Sequence, residues 1–148
     1  MQGDFEDYIN QFDETKDKWV NVASKGKAGM LGKRKVNANG FEINQMVTKS
    51  TIGALSAHNA MNYYLTTDIL DKGDNRENNN NKVLESGKSY TTMEHKWDEA
   101  FGYCLDETDD ILLHKYIMNL DLHEQFEKAF ITGRTAIINK NYKVRDQQ

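Results

Sequence analysis

Apolar side chains recur at three- and four-residue spacing along most of this chain, the rhythm of helices that bury one face. Phe5, Tyr8, Ile9, Phe12, Trp19, Val20 and Ala23 follow it, and Asp4, Glu6 and Asp7 load the first turn with negative charge. An amphipathic helix over about 4–24 is therefore predicted. The stretch Ser24 to Gly40 has four glycines and five basic residues but no period, and reads as a long loop whose charges could gather an anion. From Phe41 to Leu70 only Gly53 interrupts, and small residues such as Ala54, Ser56, Ala57 and Ala60 would let neighbours approach closely. That segment reads as a long, largely buried central helix. Asp71 to Ser89, with asparagine at 78–81, reads as a polar connector.

Three helices follow. Thr91 and Glu94 have the spacing of a capping box, ahead of the stripe Met93, Trp97, Ala100, Phe101 and Cys104, so a helix is expected over about 92–104. Thr108, Asp109 and Asp110 could cap another to about 119, and Asp121 with Glu124 could open a last one to about 139. Its inner face would hold Leu122, Phe126, Ala129, Phe130, Gly133 and Ile137. No segment alternates convincingly like a strand. The fold class expected is all-α, a bundle of about five helices with two long polar loops, in one domain over 1–148.

Composition narrows the function classes. A net charge of −4 and a pI near 5.6 argue against a nucleic-acid binder, and no run of about 18 apolar residues is present to span a membrane. There is no proline, where average usage would give about seven, in keeping with uninterrupted helices. The single Cys104 follows the apolar register and reads as a packed hydrophobe.

The cluster with the spacing chemistry requires is on the 92–104 helix. His95, Asp98, Glu99 and Gly102 lie three and four positions apart, which sets an imidazole beside two carboxylates. His95, Asp98 and Glu99 would suit iron, manganese or zinc as metal ligands. The alternative is structural: Glu94, Asp98 and Glu99 pair with basic groups such as Arg134, and His95 is a half-buried helix residue. His58 reads as a hydrogen-bonded core histidine, while His114 and His123 lack neighbouring ligands in sequence. Neither a nucleophile elbow nor a phosphate loop is present, so the sequence offers no positive enzyme motif.

EHKWDEAFGY, from Glu94 to Tyr103, resembles the EHxWDEAFGY segment of an uncharacterised bacterial family, domain of unknown function 4856. NGFE at Asn39 to Glu42, QMV, GAL, YYL at Tyr63 to Leu65 and AFITGRTAIINKNY at Ala129 to Tyr142 are similar to family segments in the same order. The resemblance implies an exported, often lipid-anchored protein, periplasmic or at the cell surface, longer than this chain, which would then be a fragment or shortened member. A proline-bearing connection after the FGY piece is replaced here by Cys104 to Asp110. The family in turn resembles imelysin-like helical proteins of bacterial iron acquisition, of whose G-x-H-x-x-E motif only a looser pattern, His95 to Glu99, is present.

The expectation is a helical binding module of an exported bacterial protein, linked to metal (iron) acquisition and with iron or zinc as the candidate cofactor, in which Glu94, His95, Asp98, Glu99 and Arg134 form a polar network or ligand-binding set. The alternatives are a metal-dependent hydrolase using His95, Asp98 and Glu99, and a structural half-bundle that forms a homodimer or docks on a missing C-terminal half.

Overall fold

A computed structural model describes residues 2–105 and 112–148, which divide into two compact units, 1–52 and 53–148. The fold is all-helical in class, with a small two-stranded sheet. In the first unit α1 spans Gln2–Thr15 and continues as a 3₁₀ turn, Lys16–Val20. The helix predicted to residue 24 therefore stops early. Thr15 turns its hydroxyl back onto Gln11 O at 2.6 Å, and the 3₁₀ turn brings Trp19 edge-on to Phe12 with centroids 4.9 Å apart. Ala23, expected on the helix, instead donates its N–H to Met30 O.

The segment expected to be irregular from Ser24 to Gly40 holds an antiparallel hairpin. Strands β1, Gly29–Leu31, and β2, Arg34–Val36, pair with Leu31 opposite Arg34. Gly32, at φ 60°, opens the two-residue loop, the place where a tight hairpin of this kind needs glycine. Gly29 is required for another reason: a Cβ there would sit 2.6 Å from Asn21 O. Of the five basic residues, Arg34 pairs with Glu42 and Lys35 lies over the Trp19 ring. Asn37 is buried and accepts from the amides of Asn39 and Phe41, closing the turn into the next helix.

That helix, α2, runs Ile43–Asn59 and passes into a π turn, Ala60–Tyr64. It is not the central buried helix that its composition predicted. Within α2 only Ile43 is buried, and the space around Gly53 is open. A run of apolar and small residues states what a helix could pack against, and here little packs.

The core of the second unit is built on α5, Thr92–Cys104, whose Met93, Trp97, Ala100 and Cys104 are buried together with Leu70, Ile117, Phe130, Ile137 and Tyr142. The flanking elements are α3 (Thr67–Leu70), α4 (Asn75–Asn80), α6 (Leu112–Asn119), α7 (His123–Ile138) and α8 (Tyr142–Arg145). The Thr108–Asp110 cap lies outside the described residues. Asp121 does not cap α7; it takes φ 58° in the reverse turn before it, and Leu122 stands at the cap position.

The asparagine run is structural and forms α4. Asn79, 4% exposed, donates to Ile137 O at 2.9 Å and to the Tyr142 hydroxyl at 3.1 Å, and accepts from the Thr91 hydroxyl at 2.8 Å. Arg145 has a fully buried side chain and a bidentate pair with Asp71 at 2.6 and 3.0 Å.

Candidate functional site

The α5 helix starts where Thr91 accepts from Glu94 N and Glu94 Oε2 accepts from Thr91 N at 2.7 Å, a reciprocal cap. From that start the apolar stripe faces α7. Trp97 lies against Gly133 so closely that a Cβ on the glycine would be 2.0 Å from the indole, and its Nε1 donates to Phe130 O at 3.0 Å. Phe101 meets Phe130 edge-on at 5.4 Å. One turn of α7 is thus notched to receive one side chain of α5.

Arg134 follows the notch and clamps it from the rim. Its guanidinium donates to Glu94 Oε1 at 2.8 Å and to Asp98 Oδ1 at 2.9 Å. The network is half-buried, with the Asp98 carboxylate largely in solvent. Burial pushes the Glu94 carboxyl up, but the hydrogen bonds from Thr91 and Arg134 together with the guanidinium's charge outweigh it and hold the group below its usual range.

The remaining candidate residues belong to a second set. His95 stacks on Tyr90 at 4.9 Å, and its Nε2 lies 3.6 Å from Glu99 Oε1. Lys96 pairs with Glu99 at 2.7 Å and lies over the Tyr64 ring, which stacks on Tyr103 at 5.5 Å. The hydrogen bond to Glu99 raises the Lys96 ammonium. Burial, followed by the Glu99 charge, raises the Tyr64 phenol. Six side chains therefore make one continuous strip: Tyr90, His95, Glu99, Lys96, Tyr64 and Tyr103.

The π turn positions half of it. Leu65 donates to Ala60 O at 3.0 Å, one residue further back than in an α-helix, and this wider turn carries Tyr63 and Tyr64, which meet edge-on at 4.9 Å. Single π turns of this kind are frequent at functional sites. Gly102 continues the line of His95 and Glu99 at the next turn, and its surroundings are open to 4 Å from where a Cβ would stand.

His95, Asp98 and Glu99 are consequently committed to different partners, with Asp98 on Arg134 and the other two on the strip. Among the described residues no three or more His, Cys, Asp or Glu converge as metal ligands. His58 is exposed beside Asn62, not buried in a core. Cys104 is buried, and burial pushes its thiol up to about 11. The tyrosine half of the strip was not foreseen from sequence. Its signal was the pair Tyr63 and Tyr64 shortly ahead of the polar stretch Asp71 to Ser89.

These features define a helical protein whose most recognisable segments hold two helices together at one notch. The chain belongs to the family described as Domain of unknown function (DUF4856), whose model matches residues 1–148. No curated protein and no solved structure matches it. Among the described residues, no helix is long and apolar enough to cross a membrane.

Proposed function

We propose that this chain is a helical binding module and that the strip of Tyr64, Tyr90, His95, Lys96, Glu99 and Tyr103 recognises a small polar organic molecule. The observation that carries this reading is Gly102. A glycine inside a helix costs about 1 kcal/mol relative to alanine, and at Gly102 no group of the described chain needs the space it leaves. In line with His95 and Glu99, it leaves room for something to approach the α5 backbone. Stacked rings beside a carboxylate, an imidazole and an ammonium offer flat contact and hydrogen bonds of both polarities.

Thermal-shift screening of saccharides, amino acids and nucleosides tests the reading with Gly102→Leu, whose Cβ meets open space, and Glu99→Gln. A compound that stabilises the parent chain but neither variant supports it; compounds that stabilise all three equally refute it. The proposal extends to an exported bacterial protein, periplasmic or at the surface, with a part in metal acquisition, as the imelysin-like resemblance suggests. Cell fractionation and elemental analysis of protein purified without chelator test those two parts.

A further inference from the structure

A pair of imidazoles nine positions apart in sequence is brought together away from the strip. His114 lies on α6 and His123 opens α7. Between them the chain reverses: Asp121 takes a positive φ, Asp121 N donates to Met118 O at 3.1 Å, and Leu122 N donates to Ile117 O at 3.1 Å. The two ring centroids lie 5.6 Å apart with the planes inclined at 43°. His114 Nδ1 is withdrawn from solvent and, among the described residues, has no hydrogen-bond partner. A buried lone pair or N–H left in that condition is costly, and this is the second observation pointing to a ligand.

The spacing has a chemical meaning. Imidazole nitrogens bind zinc at about 2.0–2.1 Å, and with each nitrogen about 1.15 Å from its ring centre, tetrahedral ligation puts the two centroids about 5.2 Å apart. The observed separation is within a few tenths of an ångström of that figure, a difference a small ring rotation can absorb. Neutral imidazoles suit zinc, nickel and copper(II), whereas magnesium and calcium require oxygen ligands.

We propose that His114 and His123 form a two-imidazole site for a transition-metal dication, the remaining positions being taken by water. Among the described residues no third His, Cys, Asp or Glu joins them, so the ion is held more weakly and exchanges faster than in a closed structural site. Bound there, it staples α6 to α7 across the reverse turn and stabilises the folded state by mass action. The site is independent of the strip proposed above and shares no residue with it.

Calorimetric titration of the full chain with zinc, and in parallel with nickel, tests the site, with thermal unfolding recorded on the same samples. The expected result is saturable binding with a raised Tm, weakened at least about tenfold in His114→Ala and in His123→Ala. Magnesium produces no shift, and His95→Ala and His58→Ala leave zinc binding unchanged. Should His114→Ala fail to fold, His123→Gln, at the partly exposed start of α7, decides alone. Zinc affinity unchanged in the His123 variants, abolished equally by His95→Ala, or undetectable in the parent chain overturns the proposal.

Discussion

Replacing Gly133 by alanine puts a methyl group where the Trp97 indole now lies. The new Cβ would stand 2.0, 2.3 and 2.9 Å from Trp97 Cζ2, Cη2 and Cε2, against an ordinary contact of about 3.5–4 Å. The indole must therefore retreat by about 1.5 Å or α7 must move off α5. Trp97 is 3% exposed, so overpacking of this kind costs about 1–3 kcal/mol. If the ring swings far enough to break the bond from Nε1 to Phe130 O, a buried donor is stranded at a further cost of about 1–3 kcal/mol. Alanine returns about 1 kcal/mol of helix propensity. With the bond broken the balance is a loss of about 1–5 kcal/mol, or roughly 2–20 °C in Tm. Urea unfolding followed by fluorescence in a Trp19→Phe background, where Trp97 is the sole reporter, measures it directly. An unchanged midpoint, or one raised by the full propensity gain, would refute the notch.

Gly102→Ala is the matched control, since its Cβ meets open space: it raises stability by about 0.5–1 kcal/mol while weakening any compound bound on the strip, read by urea titration and thermal shift. Asn79→Ala removes the bonds to Ile137 O and to the Tyr142 and Thr91 hydroxyls; Ile137 O keeps the Lys140 amide and Tyr142 keeps Asn80, so the buried Thr91 hydroxyl alone loses its acceptor, and stability falls by about 1–3 kcal/mol, read by urea titration. Arg134→Met leaves Glu94 half-buried without its guanidinium and costs about 1–2 kcal/mol, less than a fully buried pair because the clamp is partly solvated. Stability falls in acid. Hydrogen bonding from Arg145 holds the Asp71 carboxyl below its ordinary value, and Glu94 is likewise lowered. Between their folded and unfolded pKa values the unfolded chain binds more protons, so the contribution is full above about 4.5 and is lost as pH drops through the folded values. Urea midpoints flat from about pH 6 to 5 and declining below about 4.5, with a shallower decline in Asp71→Asn, are expected; a flat profile down to pH 3 would contradict the assignment.

Local signals made α5 legible. Its start is a side-chain to backbone exchange between residues three apart, and its buried face is a stripe of large side chains, so both are written in adjacent residues. The partnership of Arg134 with carboxylates on α5 was expected from charge alone, whereas the division of those carboxylates was not. Which of Asp98 and Glu99 faces α7 depends on the crossing of two helices, and Trp97 in Gly133 fixes that crossing. The hairpin escaped because strands of three residues are too short to show alternation. Asn79 escaped because a polar run looks solvated until its partners, 12, 58 and 63 positions away, are known. α2 differs from the central helix its composition suggests because apolar composition carries no direction. His114 and His123 looked isolated because a reverse turn, not helical periodicity, joins them.

The bonds from Arg145 to Asp71 and from Asn79 to Tyr142 join positions 74 and 63 apart. During synthesis at about 5–20 residues per second, Asp71 therefore waits roughly 4–15 s for its cation. Over that interval α5 can form on its own cap, but Met93, which receives the Arg145 guanidinium at its sulfur, has no lid. The second unit is closed from its far end, as a drawstring closes a bag. A nascent chain stalled before Tyr142 would expose the face of the second unit that Tyr142 and Arg145 cover.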